Sequence, residues 1–333
     1  MLPVSESHTT GSGAAAVASR AARDRPLHGA PAFALALTPA LLWGALPVAV
    51  AGIAPTMDGV TLTWYRFLVA WAAQTALLAA TGAFGELRGR SKREYATLGV
   101  VAAGIVGNFA LFATSLQWLS PSAAQTVSQC QPIALLLASV LLFGERLARA
   151  QVAGAAALVA GLAIFLHDRF REFDGRADEL LIGVPLVLAA SVAWVAAGLA
   201  QKTLAGRISA AGSLWFVYLL GAVALAPLAT PTQLPALDAA QAWLFAFCCA
   251  NTLVAYGAFA VAVRRWSLSR VGAVLALQVV FTYLWEFAAA RLGLELARFE
   301  DWDGVKALGA ALVVAGTLTV ALAAPRPGAV SRP

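Results

Sequence analysis

The stretch Ala153–Phe165 reads AGAAALVAGLAIF, and a second stretch, Leu308–Val320, reads LGAALVVAGTLTV. Each carries two glycines seven residues apart: Gly154, Gly161, Gly309 and Gly316. The similarity indicates an internal repeat, which affects how every other motif is interpreted. Small residues let helix backbones approach closely. We therefore expect these glycines to serve helix packing, within one chain or between two chains of a homodimer.

The composition around the repeat is that of a polytopic membrane protein. Hydrophobic residues make up 60% of the 333 residues and charged residues only 12%, which excludes a pair of soluble domains. Segments of about 20 apolar residues cross a hydrocarbon core of about 30 Å. Ten segments qualify: 32–53, 60–81, 96–116, 122–143, 150–167, 179–201, 209–229, 240–263, 271–292 and 304–324. The sequence therefore predicts an all-α integral membrane protein with ten transmembrane helices.

The repeat divides the chain into five predicted regions. They are a disordered cytoplasmic N-terminal tail (1–31), a first repeat of five helices (32–167), a periplasmic connecting loop (168–178), a second repeat of five helices (179–324) and a cytoplasmic C-terminal tail (325–333). A cleaved signal peptide is the alternative for the first residues, but no apolar core follows them.

An odd number of spans in each copy requires the second copy to insert upside down. With the N-terminus inside, 16 Lys and Arg lie inside and 6 outside, which places both termini in the cytoplasm. The net charge of +6 thus sets topology and does not indicate a nucleic-acid partner. Inverted repeats of this kind are typical of secondary transporters, which bind their substrate near the membrane midplane.

Predicted span four carries polar residues at helical spacing i, i+3, i+4 and i+7, which share one face: Gln125, Ser128, Gln129 and Pro132. The proline frees a backbone carbonyl near the membrane centre. This face is either a substrate-binding surface or a set of interhelical hydrogen bonds. Both interpretations remain open at this point.

Predicted span nine carries a related face with Gln278, Thr282, Trp285 and Glu286. In the repeat register Gln278 matches Gln131, and Val279 stands where Pro132 stands. The second copy therefore lacks the proline, which argues against a mechanism that needs kinks in both copies.

Glu286 is a carboxylate inside an apolar span, which is costly and marks a functional candidate. Burial would let it exchange protons near neutral pH, so we assign it a coupling role. The alternative is a structural ion pair with Arg66, which lies at a similar depth in span two. For Arg66 itself we expect a structural role, in this pair or reaching the headgroups.

Several aromatic and amide side chains lie in mid-span and are candidates for the wall of a central cavity: Trp43, Asn108, Trp194, Asn251 and Tyr256. For the repeat-related Trp43 and Trp194, lining a cavity and filling space are equally compatible with the pattern. His8 and His28 lie outside the spans, His167 is the last residue of the fifth span, and the three Cys form no C-x-x-C pair. The sequence therefore predicts neither a metal site nor a cofactor.

Several segments resemble one known family: Leu42–Ala45 (LWGA), Tyr65–Ala70 (YRFLVA), Gly107–Ser115 (GNFALFATS), Leu116–Leu147, Trp194–Lys202, Asn251–Phe259 (NTLVAYGAF) and Leu308–Thr319. At these residues the chain resembles the EamA-type family of the drug/metabolite transporter superfamily. The resemblance implies ten helices in an inverted five-plus-five repeat and a cavity formed by spans 1, 3, 4, 6, 8 and 9. It also implies movement of small metabolites, often amino acids, commonly as an exporter in the bacterial inner membrane.

These observations together predict a metabolite exporter that works by alternating access in the lipid bilayer, with Glu286 as the candidate for proton coupling. A passive channel is the first alternative and needs no titrating group. A membrane-embedded enzyme is disfavoured, because no His lies within the membrane interior of a span and the sequence has no H-E-x-x-H motif and no P-loop. Glu145, beside Arg146 at the end of span four, is interpreted as a helix-end residue.

Overall fold

The computed structural model describes residues 26–115, 118, 124, 127–165, 167, 179–291 and 304–323. Within these ranges every regular element is a helix. The helices are α1 (Gly29–Ile53), α2 (Gly59–Ala80), α3 (Lys92–Ser115), α4 (Cys130–Phe143), α5 (Arg149–Phe165), α6 (Val184–Thr203), α7 (Ala210–Leu225), α8 (Ala239–Arg265), α9 (Leu268–Leu275), α10 (Gln278–Arg291) and α11 (Gly304–Leu322). The predicted all-α class is thus confirmed for the described part of the chain.

Seven helical segments are long and apolar enough to cross a membrane, which confirms the integral membrane class. They are Gly29–Ile53, Lys92–Phe112, Leu181–Thr203, Ala210–Leu228, Ala239–Arg265, Leu268–Arg291 and Gly304–Leu322. Helices α4 and α5 are apolar but shorter, and α2 belongs to neither group. The prediction of ten full spans is therefore met in part, and Leu268–Arg291 combines α9 with α10.

Side-chain caps mark the two ends of the helical bundle. At one end, the Asp58 carboxylate accepts the backbone N–H groups of Val60 and Thr61, both at 2.9 Å, and so starts α2. The Asp58 backbone N–H also donates to Gln233, 3.0 Å away. We call this the Asp58 end. Asp238 begins α8 at the same end with a capping box to Gln241.

At the opposite end, which we call the Glu145 end, the Glu145 carboxylate accepts three hydrogen bonds at the start of α9. The donors are the backbone N–H groups of Leu268 and Ser269, at 3.1 and 3.3 Å, and the Ser269 hydroxyl, at 2.7 Å. Lys202, at the end of α6, lies 3.9 Å from the same carboxylate. Glu145 is therefore a helix-capping residue that joins the α4–α5 connection to α9.

The glycines of the two repeated stretches lie where α5 packs against α11. A Cβ added to Gly316 would come within 2.5 Å of the Gly154 carbonyl oxygen. A Cβ on Gly161 would come within 2.6 Å of the Val313 backbone nitrogen. The two backbones are thus in direct contact, so larger residues cannot be accommodated without moving one helix. In this structure the contact is made within one chain.

Candidate functional site

A cavity of about 150 Å³ lies between helices from both halves of the chain. Its described wall consists of Trp43, Leu46, Pro47, Arg66, Asn108, Phe109, Phe112, Ser128, Gln129, Gln131, Pro132, Trp194, Tyr256, Leu275 and Gln278. Eight of these are residues for which the sequence predicted a cavity role: Trp43, Asn108, Ser128, Gln129, Pro132, Trp194, Tyr256 and Gln278. The structure therefore brings most of the candidate residues together in one place.

The remaining candidates are not among the described wall residues. Asn251 is buried, but its side-chain amide donates to the Leu42 carbonyl, 2.5 Å away, and it is not among the described wall residues. The Thr282 hydroxyl donates to the Gln278 carbonyl of its own helix, at 3.0 Å. Gln125 lies outside the described residues. Glu286 is partly buried on α10 and is likewise absent from the described wall.

The cavity is next to interruptions in the two polar helices. Helix α4 begins at Cys130, so Pro132 stands in its first turn, where its missing N–H is not needed. Helix α9 ends at Leu275 and α10 begins at Gln278. Between them the Leu277 N–H bonds to the Val274 carbonyl at 3.1 Å, which is the tighter i to i−3 pattern. When the two repeats are aligned so that Gln131 matches Gln278, the two interruptions fall at equivalent positions.

The interruption in the second copy therefore forms without a proline. The sequence argued against paired kinks from the missing proline, and the structure shows a break in both copies. Its physical setting is the crossing of α9 over α4. A Cβ added to Gly272 would lie 2.7 Å from the Pro132 carbonyl oxygen, so the two backbones touch at this point. Such irregular backbone is tolerated at membrane depth where protein or a wet cavity surrounds it.

An aromatic cluster of Trp43, Trp194, Tyr256 and Phe259 bounds the cavity on one side. The ring centroids of Trp43 and Tyr256 are 5.1 Å apart at 62°, and Trp194 stacks on Phe259 at 5.0 Å. Edge-to-face and offset-stacked geometries are the favourable ones for aromatic pairs. From Trp43, α1 continues past the cavity toward the Asp58 end, whereas Phe259 lies further toward the Glu145 end. The cluster thus lies on the side of the cavity that faces the Glu145 end.

Some polar side chains of the wall also connect helices. The Asn108 amide donates to the Ala190 carbonyl of α6, at 2.9 Å. The Gln131 amide lies 3.3 Å from the Ser191 hydroxyl, also on α6. Asn108 and Gln131 therefore line the cavity and also hydrogen-bond to a neighbouring helix.

Arg66 occupies a position in the cavity wall that the sequence did not assign to it. Its side chain is only 4% exposed. Its Nε donates to the Thr252 hydroxyl at 2.7 Å, and its guanidinium lies 5.3 Å from the centroid of the Phe109 ring. In the part of the chain that the structure describes, ion pairs join Arg90 to Glu94 and Lys202 to Glu145, and none involves Arg66.

We expected the Arg66 side chain either to pair with Glu286 or to reach the headgroups. The observed contacts of Arg66, with Thr252 and Phe109, differ from both expectations. Helix α2 packs against α7 and α8, which places the arginine face of α2 inside the bundle. Depth along an apolar helix does not reveal which face points inward, so no pattern in the sequence indicates this orientation. For Gln131, by contrast, a signal existed, because it is the repeat partner of the candidate Gln278.

Comparisons with known proteins agree with this architecture. Residues 30–167 and 181–322 each match the EamA-like transporter family. The uncharacterized inner membrane transporter YhbE of Escherichia coli strain K12 is 37% identical over 297 residues, covering 86% of this chain and 90% of the relative. An uncharacterized transporter of Haemophilus influenzae is 34% identical over 301 residues, covering 90% and 96%.

A solved crystal structure with 22% identity superposes with a TM-score of 0.69 and covers 88% of this chain and 97% of its own. This likeness shows the fold alone. The family and the names of the relatives indicate a transporter and not an enzyme. The resemblance found in the sequence is confirmed, and the chain belongs to the EamA-like transporter family of membrane transporters.

Proposed function

We propose that this protein is a secondary transporter that exports a small metabolite, of the size of an amino acid, across the bacterial inner membrane. The observation that carries the proposal is a cavity whose wall takes residues from both halves of the chain. Its volume of about 150 Å³ equals about five water molecules of liquid volume. That is small beside the roughly 300–1,000 Å³ of sites for drug-sized ligands. The inner membrane is the location named for the Escherichia coli relative.

The helix contacts support a pair of inverted five-helix repeats. In this correspondence α1, α2, α3 and α5 of the first half match α6, α7, α8 and α11 of the second, and α4 matches α9 together with α10. The repeat then relates the contact between α3 and α6 to the contact between α8 and α1. Both contacts are present. The hydrogen bond from Asn108 to Ala190 then corresponds to that from Asn251 to Leu42. This exchange also makes α9 and α10 two halves of one span, which gives ten spans.

The proposed mechanism is alternating access, in which the repeats move about the central site. The charge bias assigns the Glu145 end to the cytoplasm. The observed state would then be closed toward the cytoplasm by the aromatic cluster and by the contacts of Glu145 with Ser269 and Lys202. Opening toward the cytoplasm must break these contacts, since Glu145 belongs to the first repeat and Ser269 and Lys202 to the second.

Proton coupling through Glu286 remains part of the proposal, and a passive facilitator is the second candidate. The observation that favours the facilitator is that no Asp or Glu belongs to the described wall of the cavity. An imposed pH gradient separates the two. Uphill accumulation of substrate that is lost in Glu286→Gln supports coupling, whereas downhill equilibration with the same rate in both proteins excludes it.

The test of the central proposal is exchange in proteoliposomes that contain the full-length protein. Vesicles preloaded with unlabelled amino acids should take up the labelled compound faster than empty vesicles, because a carrier returns loaded. Trp194→Ala should lower this exchange, whereas Trp243→Ala should not, since Trp243 is 79% exposed and lies outside the cavity wall. Uptake without acceleration by preloading, or equal loss in both variants, would contradict a carrier with this site.

A further inference from the structure

We propose that Arg66 binds a carboxylate of the transported compound, so that the cavity selects small organic acids with an apolar or aromatic body. This inference rests on the proposed transport function and adds the chemical class of the substrate.

Arg66 is a buried cation with unused hydrogen-bonding capacity. Thr252 is its hydrogen-bond partner among the residues that the structure describes, and its Nη2 is buried without an acceptor there. A guanidinium does not lose its proton in proteins, so burial cannot be relieved by neutralisation. An unpaired buried charge is strongly unfavourable, and an anion that reaches this group relieves that cost.

The existing contacts hold the guanidinium in a defined orientation. Thr252 engages Nε from α8, and the Phe109 ring of α3 covers the group at 5.3 Å. Neither contact uses Nη2, which has no acceptor among the described residues, although Arg66 belongs to the cavity wall. Two parallel N–H donors match the two oxygens of a carboxylate, which is why arginine is favoured for planar, bidentate recognition.

The remaining described wall does not supply the countercharge. Its other polar residues are neutral: Asn108, Ser128, Gln129, Gln131 and Gln278. Arg66 is thus the charged group of this part of the wall, and the complementary ligand is an anion. Amides and hydroxyls also suit the remaining polar atoms of a metabolite, because they can donate and accept.

The aromatic cluster defines the rest of the ligand. Trp43, Trp194 and Tyr256 line the cavity and are less than one-tenth exposed. Rings of this kind pack favourably against flat or apolar groups. The geometry therefore points to a carboxylate at Arg66 and an apolar body against the tryptophans, within a volume of about 150 Å³.

The probes for this inference are phenylacetate, phenylacetamide and phenethylamine, which share a phenyl group but differ in charge. Thermal unfolding of the detergent-purified full-length protein is followed at increasing concentrations of each. A ligand that binds the folded state raises the melting temperature. We expect phenylacetate to raise it progressively and the amide and the amine to leave it unchanged.

Three variants locate the effect. Arg66→Gln should abolish the shift with phenylacetate and should keep or raise the melting temperature of the ligand-free protein, because it removes a buried charge. Arg66→Lys keeps the charge without the planar fork and should weaken binding about tenfold. Arg207→Gln changes an exposed arginine outside the cavity wall and should keep the full shift.

Equal shifts with the amide or the amine, no shift with phenylacetate, or a shift that survives in Arg66→Gln would overturn the inference. A large fall in the melting temperature of ligand-free Arg66→Gln would also overturn it, because Arg66 would then be a structural charge. Failure of the transport proposal is recognised separately. Binding that depends on Arg66 without accelerated exchange of any solute in proteoliposomes would support the anion site and reject the transporter mechanism.

Discussion

Two arginines of this bundle are almost equally buried, yet their surroundings differ. Arg66 is 4% exposed and Arg264 is 6% exposed. Arg264, near the end of α8, donates to the Ile208 carbonyl, to the Gln201 amide oxygen at 2.9 Å and to the Ser213 hydroxyl at 3.0 Å. Among the described residues, Arg66 has one hydroxyl partner and one ring beside it, and it lines the cavity. Burial alone therefore does not separate a structural cation from one oriented toward a ligand, whereas the number of fixed acceptors does.

The largest effect in this comparison is expected from Arg264→Met. The substitution takes the donor from the Ile208 carbonyl and from two buried side chains. Leaving buried polar groups without their partner makes the expected loss about 3 kcal/mol of unfolding free energy. Unfolding of the purified protein, by heat or denaturant, measures it.

Arg66→Met is the matched substitution and should change the unfolding free energy little. Thr252 keeps a partner, because its hydroxyl also donates to the Cys248 carbonyl at 3.0 Å. The removed charge had no acid beside it in the described wall. If the two Arg→Met variants lose equal stability, the distinction between the two arginines is wrong.

An intermediate effect is expected from Gln201→Leu, which removes one acceptor from Arg264. The Ser213 hydroxyl also donates to Gln201, at 2.7 Å, so both partners are affected. The expected loss is about 1–2 kcal/mol, as for one buried group left unsatisfied. The combined variant with Arg264→Met should lose less than the sum, because both changes affect one network. Strict additivity in a double-mutant cycle would show that these residues act independently.

The sequence predicted the features of this fold that are local. The apolar length of the spans fixed the membrane class, and glycine spacing identified the faces where α5 meets α11. Polar residues are rare in apolar helices, so Gln129, Asn108 and Gln278 were recognisable as cavity candidates from the sequence.

The remainder depends on tertiary packing. Arg264 was counted only as a charge in a loop, and Arg66 was expected to pair with Glu286 or to reach the headgroups. The sequence of a uniformly apolar helix shows little periodicity in hydrophobicity, so it does not indicate which side of the helix faces the interior. The break before Gln278 was missed for a related reason, since it lies where Gly272 packs on Pro132 and no proline marks it.

The two asparagines Asn108 and Asn251 form a second matched pair, for which we expect smaller losses of stability. Their side chains make hydrogen bonds at equivalent positions of the two proposed repeats. Asn108 lines the cavity, whereas Asn251 does not belong to the described wall. Replacing each with Ala should lower the unfolding free energy by a similar amount, about 1 kcal/mol. Exchange in proteoliposomes should fall in Asn108→Ala and stay near the wild-type rate in Asn251→Ala. The opposite pattern of exchange would place the substrate near Asn251.

The smallest effect on stability is expected at Asp58, whose carboxylate accepts hydrogen bonds at the edge of the bundle. Burial alone raises the pKa of this carboxyl, but hydrogen bonds from Thr61, Gln233 and Val60 outweigh it and hold the pKa below its usual 3.8. A lowered folded-state pKa contributes stability that is present above the unfolded pKa and is lost as pH falls through the folded one. The effect should be small, because the carboxylate is exposed to solvent.

Asp58→Asn isolates this charge, because asparagine also caps helices well. From neutral pH down to about pH 4, the variant and the wild type should differ by a small, constant amount in melting temperature. Below that pH the wild type should lose stability more steeply, so that the two curves converge. Parallel curves through the acidic range would mean that the Asp58 cap works through hydrogen-bond geometry and not through its charge. A steeper fall of the melting temperature in the variant than in the wild type would contradict the lowered pKa of Asp58. Asp58 would then not be an example of a charge that is stabilised by fixed hydrogen-bond partners.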